Sequence, residues 1–248
     1  MRKLTTCYGL IILLIISFSC NPVYKSSSVQ YIDYQVDGQR KDSSVQKFLQ
    51  PYADSVNGSM NTVLGQLAVD LDKRQPEGNL GNFMADAMKA MAEKYYHTTV
   101  DAAFINYGGI RLNGIKAGAI TRGKIFELMP FDNIIILQKI KGSVLQQFLD
   151  HIVGRGGWPV AGITMQIKDK KAVNVMIGGK TIDPNMIYTI ANSDYVANGG
   201  DNSDMLKTIP QINNGFLLRD ALIEYVQSLT QKGQPITATI QNRVTNAQ

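Results

Sequence analysis

The sequence predicts a mixed α+β domain. Three observations carry that reading. Stretches with apolar residues at helical spacing are interleaved with short runs of strand character, without the strict alternation that a doubly wound parallel sheet requires. A content of 44% apolar and 18% charged residues is that of a globular chain. The 248 residues show no internal repeat and no second linker, so one folded domain after an N-terminal tail is the economical organisation.

The tail comes first. Met1-Arg2-Lys3 is a short positive region, residues 10–16 form an unbroken apolar run, and Ser17-Phe18-Ser19-Cys20 follows. The run is too short to span a bilayer with margin and fits the core of a signal peptide. Small residues before a cysteine resemble a bacterial lipobox, with Ser17 where leucine is usual; an ordinary secretory signal is the alternative. On the lipobox reading residues 1–19 are a lipoprotein signal peptide, Cys20 carries the lipid, and the protein is exported and anchored in the cell envelope. The other cysteine, Cys7, lies inside the leader, so no pair remains to bridge. Residues 20–44 are polar and serine-rich and read as a flexible tether. The folded domain is placed at 45–248.

Within that domain, residues 45–57 suit a helix with Phe48 and Leu49 on one side, interrupted by Pro51. Residues 62–69 have strand character. Leu80, Phe83, Met84, Ala87 and Met91 recur at helical spacing behind Asn79, a suitable N-cap. Residues 100–105 form a short apolar strand that ends at Asn106-Tyr107-Gly108-Gly109. Residues 121–128 suit a short helix stopped by Pro130, and 134–140 a strand. Val144, Leu145, Phe148, Leu149 and Ile152 mark a second amphipathic helix. Residues 163–167 and 172–177 are strands joined by a polar turn at Lys168-Asp169-Lys170. An apolar run at 187–191 precedes a glycine-rich turn, and Leu218, Ala221, Leu222, Tyr225 and Leu229 mark a third helix.

Charge and residue counts exclude several function classes. The formal charge of +5 permits an anionic ligand, but no run of Lys and Arg marks a nucleic-acid binder. His97 and His151 are the two histidines of the chain. Neither has nearby carboxylates in a pattern suited to a dinuclear metal site, and no Ser-His-Asp or Cys-His arrangement is suggested.

Four clusters carry possible chemistry. In Arg74-Gln75-Pro76-Glu77-Gly78-Asn79-Leu80-Gly81-Asn82, polar residues stand at a helix entrance, which serves equally as an anion site or as a plain cap. In Asn106-Tyr107-Gly108-Gly109-Ile110-Arg111, an amide and a guanidinium flank glycines that allow close approach; a tight turn followed by a surface arginine is the plainer reading. Met129-Pro130-Phe131-Asp132-Asn133 places an aromatic on a turn, as a ligand contact or a core anchor. Tyr195-Val196-Ala197-Asn198-Gly199-Gly200-Asp201 sets a stacking face beside a charged acceptor, unless it is only a hairpin turn.

Taken together and in this order, the four clusters resemble the C-terminal domain of the 5′-nucleotidase family, which includes bacterial UDP-sugar hydrolases. The shared pattern is an Arg before an Asn-Leu-Gly-Asn helix entrance, an Asn-x-Gly-Gly-Ile-Arg turn, a Pro-Phe turn and an aromatic-x-Ala-x-Gly-Gly-Asp turn. It spans about 64–206. The resemblance implies that Phe131 and Tyr195 hold a nucleobase between two rings. It further implies that Arg74 and Arg111 take the phosphate side, Asn106 bonds the nucleoside and Asp201 accepts from ribose hydroxyls. Tyr195 stands where phenylalanine is common, Tyr107 where glycine is frequent, and Asn202-Ser203 where Gly and an aromatic often follow. In this reading only the ring face of Tyr195 matters.

Full enzymes of this family also have a metallophosphoesterase domain, with Asp-x-His and Gly-Asn-His motifs that this sequence lacks. The resemblance therefore implies a nucleotide- or nucleoside-binding specificity domain, inactive alone and without a cofactor of its own. Divalent metals are expected only in a separate metallophosphoesterase chain. A stand-alone nucleotide-binding envelope lipoprotein and a non-catalytic interaction module on the same fold are the alternatives. The lipobox reading makes a direct prediction: Cys20→Ser moves the protein from the membrane to the soluble fraction. Retention of the variant after a salt wash rejects the anchor.

Overall fold

The computed structural model describes Tyr31, Ile32 and residues 42–247. The leader, Cys20 and most of the tether lie outside these residues. The chain divides into two compact units, Met1–Phe48 and Leu49–Gln248. Of the first, the described part is chiefly the start of helix α1 (Ser43–Met60), where the Asp42 carboxylate accepts from the Ser44 and Val45 backbone N–H groups at 2.8 and 3.3 Å. Contrary to the sequence expectation, α1 runs on through Pro51. Proline there removes one N–H donor. No residue of α1 is buried, so the carbonyl left without a partner lies at an exposed surface.

The second unit continues with β1 (Val63–Leu67), β2 (Leu71–Asp72), helix α2 (Asn79–Tyr96) and β3 (Ala102–Phe104). Strands β4 (Gly114–Ile115) and β5 (Gly118–Thr121) lead into the short helix α3 (Arg122–Leu128), whose first turn is capped by the Thr121 hydroxyl accepting from Lys124 N. Next come β6 (Ile135–Lys141), helix α4 (Gly142–Gly154), β7 (Val160–Ala161), β8 (Ile163–Lys168), β9 (Lys171–Ile177) and β10 (Lys180–Thr181). The chain ends with β11 (Ile187–Ser193), the one-turn helix α5 (Asp194–Ala197), β12 (Gln211–Ile212), helix α6 (Leu218–Gln231) and β13 (Val244–Asn246). Strands and helices mix without regular alternation, as an α+β domain requires. Among the described residues no helix is long and apolar enough to cross a membrane.

A five-stranded sheet in the order β12-β6-β11-β3-β7 is the centre of the unit. Successive side chains on a strand point to opposite faces, and both faces of this sheet are buried. Ala103, Ile135, Leu137 and Ala191 face one apolar core, with Leu80, Met84 and Met88 of α2 and Leu222 and Val226 of α6. Ala102, Phe104, Ile140 and Ile190 face a second core, with Leu145, Phe148 and Leu149 of α4. α4 also packs against β9 of a four-stranded sheet, β10-β9-β8-β13. Burial on both faces explains why 187–191 reads as a continuous apolar run rather than an alternating one. The β8–β9 hairpin turns through Asp169 and Lys170, both at positive φ (50° and 60°), the twist that two-residue hairpins favour.

Two buried polar side chains interrupt the central sheet. Asn192 Nδ2 donates to Gln138 Oε1 at 3.0 Å, and Gln138 Nε2 donates to the Leu206 and Ile209 carbonyls at 3.0 and 3.1 Å. The sheet thereby holds the segment that follows the Tyr195–Asp201 turn. Gln138→Leu removes this amide and strands the Asn192 donor in the core. It is expected to lower unfolding stability by about 1–3 kcal/mol in denaturant titration, with faster amide exchange in residues 204–209. A variant as stable as the parent shows that the amide is not a tie.

Candidate functional site

The site is assembled at the ends of central strands. β3 ends and the chain turns at Asn106 into a single 3-10 turn, Tyr107–Gly109, closed by Gly109 N donating to Asn106 O at 2.9 Å. The turn needs a glycine at 109, because a Cβ there would stand 2.6 Å from Asn106 Oδ1. With that space kept open, the buried Asn106 amide donates from Nδ2 to Asp201 Oδ2 at 2.9 Å.

Arg111 is anchored by its backbone N–H, which donates to Leu128 O at 3.0 Å. Its exposed guanidinium reaches back to the Gly108 carbonyl at 3.3 Å and lies 5.7 Å from the Phe131 ring centroid. That contact is in the range of a cation–π interaction. Lys73, which sequence reasoning passed over, braces the same turn. Its ammonium donates to Ile110 O at 2.8 Å and sits 4.0 Å over the Tyr107 ring. Burial, and then the positive charge of Arg111, push the Lys73 ammonium below the usual lysine range.

Phe131 is exposed on its turn, and the turn itself is held from behind by Arg219. The Arg219 guanidinium donates to Phe131 O at 3.3 Å and to Asp132 Oδ1 at 2.5 Å, and lies 4.3 Å over the Phe126 ring. Just beyond, Ile134 and Asp194 form a reciprocal pair. Ile134 N donates to Asp194 Oδ1 at 3.0 Å, and Asp194 N donates to Ile134 O at 2.9 Å. Asp194 is the residue before Tyr195. One aspartate therefore sets the spacing of the two segments that bear the site's aromatics.

The Tyr195 ring folds back over the Gly199–Asp201 turn. A Cβ at Gly200 would meet its ring carbons at 2.4 and 2.5 Å, so the glycine makes room for one ring face. Asp201 and Asn202 are both left-handed, with φ of 52° and 64°. Such residues persist only where the surroundings over-determine them. Here Asp201 N donates to Tyr195 OH at 3.1 Å, and Tyr195 OH donates to Asp201 Oδ1 at 3.2 Å. From α4, His151 Nε2 lies 2.8 Å from Asp201 O, a contact that puts the imidazole proton on Nε2, and Arg155 donates to Asn202 Oδ1 at 3.1 Å. His151 thus contacts the backbone of the site rather than its opening.

Asn106, Gly108, Gly109, Arg111, Phe131, Asn133, Tyr195 and Asp201 line one pocket of about 410 Å³. Five of the six residues singled out from sequence meet there. Asn133 joins them unpredicted, and Arg74 is absent from the lining. Arg74 is exposed and pairs with Asp72 at 3.2 Å.

The helix-entrance cluster is used differently from its sequence reading. Gly78, not Asn79, is the N-cap of α2. The Asn79 side chain instead accepts from Asp72 N at 2.6 Å and donates to Asp70 O at 2.9 Å. Asn82 donates to Thr239 O, and Glu77 accepts from the Gln241 and Arg243 backbone N–H groups at 2.8 and 2.9 Å. These side chains tie the C-terminal segment to α2. Among the described residues, no three His, Cys, Asp or Glu side chains are grouped to hold a metal ion.

Residues 62–208 match the family model described as 5′-nucleotidase, C-terminal domain. Protein UshA of Yersinia enterocolitica is 28% identical over 210 residues, which are 80% of this chain and 36% of that protein. A 5′-nucleotidase of Vibrio parahaemolyticus is 30% identical over 199 residues, 76% of this chain and 34% of the relative. The crystal structure of a 5′-nucleotidase precursor from Thermus thermophilus superposes with a TM-score of 0.72 at 25% identity, over 83% of this chain and 43% of that one. The chain thus spans about a third of the length of these curated relatives.

The fit of Tyr195 over its turn can be tested without a ligand. Gly200→Ala is expected to push the ring off the turn, costing roughly 1 kcal/mol in lost hydrogen bonds and shifting the Tyr195 ring resonances. An unmoved ring shows that the contact is looser than the geometry says.

Proposed function

Because the chain belongs to the family of 5′-nucleotidase C-terminal domains, we propose that its pocket binds a nucleotide or nucleoside as the specificity half of a phosphohydrolase. The observation that carries the proposal is the convergence of Phe131, Tyr195, Arg111, Asn106 and Asp201 on one opening. Two aromatic side chains offer π faces to a base, and stacking tolerates different bases. Asp201 offers acceptors to sugar hydroxyls. Arg111 offers a planar two-donor fork to phosphate. Arg74 is assigned to the phosphate side by the resemblance alone, since it lies outside the pocket lining and pairs with Asp72.

Hydrolysis of a phosphate ester is among the slowest uncatalysed reactions, and it calls for an activated nucleophile as well as positioning. The pocket's groups position and neutralise charge. The proposal therefore pairs this chain with a separate metallophosphoesterase chain that supplies divalent metals and the attacking water. The relatives' greater length supports a catalytic part outside the aligned region. Export and anchoring through Cys20 complete the proposal and place the complex in the cell envelope.

Calorimetric titration of nucleosides and their monophosphates tests the binding role. Phe131→Ala is expected to weaken both ligands by about 1–3 kcal/mol, the usual worth of a base on an aromatic ring. Arg111→Ala is expected to weaken the monophosphate and leave the nucleoside nearly unchanged, narrowing the gap by about 1.5–3 kcal/mol. Equal loss for both ligands would remove the phosphate role from Arg111. No binding by the parent rejects the function and leaves an interaction module on this fold.

The partner is tested separately. The purified chain with added divalent metal is expected to show no nucleotidase turnover. A phosphatase assay on material pulled down with it from the native envelope is expected to be positive. Turnover by the chain alone, lost in Arg111→Ala, rejects the need for a partner.

A further inference from the structure

We propose that the Tyr195 hydroxyl is a positioning group that holds both the backbone and the carboxylate of Asp201, and so sets how well that residue meets the sugar hydroxyls already proposed for it. The inference rests on the nucleoside reading above and assigns a role to an atom that stacking does not use.

An ionised carboxylate has two oxygens with about four acceptor directions. The protein fills one on each. Asn106 Nδ2 occupies Oδ2 at 2.9 Å, and the Tyr195 hydroxyl occupies Oδ1 at 3.2 Å. One acceptor direction remains on each oxygen, and Asp201 lines the pocket. Two neighbouring acceptors match two neighbouring O–H donors, as on a ribose 2′,3′-diol. A single hydroxyl satisfies one of them.

The carboxylate keeps this presentation only while its backbone stays left-handed, a conformation that non-glycine residues seldom adopt. The Tyr195 hydroxyl acts on that as well, because it accepts the Asp201 N–H at 3.1 Å. One phenolic oxygen thus holds both the backbone and the side chain of the same residue, six positions away. The ring is kept in place for it by the open space at Gly200. Phenylalanine at 195 would preserve the ring face and lose both bonds. The Asp201 carbonyl would still be held by His151, and Oδ2 by Asn106. The variant therefore keeps its fold and its stack but loosens the acceptor pair.

The test compares adenosine and uridine with their 2′,3′-dideoxy counterparts, titrated into the parent and Tyr195→Phe, with melting curves to check the fold. The parent is expected to prefer the ribonucleosides. In Tyr195→Phe their affinity is expected to fall roughly tenfold, the worth of about one hydrogen bond to a charged group, while the dideoxy ligands change by less than about twofold. Asp201→Ala supplies the second arm: it removes the side-chain acceptors that the hydroxyl positions, so in its background Tyr195→Phe is expected to cost little further. Ribonucleoside affinity unchanged in Tyr195→Phe, equal loss for both ligand types, or additive losses in the double variant each overturn the inference and leave nucleoside binding intact. A parent that binds no nucleoside overturns the proposed function, and this inference with it.

Discussion

The candidate site depends on one side chain that is not in its lining. Asp194 accepts the Ile134 N–H on its carboxylate and returns its own N–H to the Ile134 carbonyl. Through that pair the turn bearing Phe131 and the helix bearing Tyr195 keep a set distance, although they lie about sixty residues apart in sequence. Two aromatic side chains on surface loops would otherwise sample many arrangements, and each ligand would have to meet the entropy of ordering them. Arg219 behind Phe131 and the Gln138 amide behind residues 206–209 extend the same logic. The rigid sheet reaches the loops through polar ties rather than through apolar packing.

The division of labour between buried and exposed groups follows from this. Asn106 is nearly buried, so its amide is oriented before any ligand arrives. Phe131, Tyr195 and Arg111 are exposed enough to be reached. Arg111 carries its charge where water screens it, beside the Phe131 ring, while Lys73 is partly withdrawn beneath the same turn. The pocket lining thus combines an exposed guanidinium with a buried, oriented amide.

Much of this was legible in the sequence, for identifiable physical reasons. The helices at Leu80–Met91, Val144–Ile152 and Leu218–Leu229 announced themselves through one-sided apolar spacing, and α2, α4 and α6 bury those faces. The pocket residues stood out because four turn clusters, each readable alone as a plain turn, cap or core anchor, occur together in the family's order. Short strands such as β4, β7 and β12 gave no signal, since two residues cannot display a period. Pro51 misled because an exposed helix tolerates a missing donor better than a buried one. Asn79 misled because a cap and a long-range tether use the same amide, and only the position of Asp70 and Asp72 decides between them. The Tyr195 hydroxyl could not be read at all. Its partner is defined by a backbone twist at Asp201 that the residue type does not reveal.

The ties made by Glu77 and Asn82 to residues 239–243 bear on how this unit sits in longer chains. With the Leu67–Ile236 bridge, they bring the segment 67–82 alongside the segment 236–243. A body whose entry and exit points adjoin can be carried in a longer polypeptide, or moved between polypeptides, without pulling on its interior. The pocket is lined from other connections of the fold, the turns at 106–111, 131–133 and 195–201. Recombination at that seam would exchange what is attached there while leaving the pocket-bearing turns untouched.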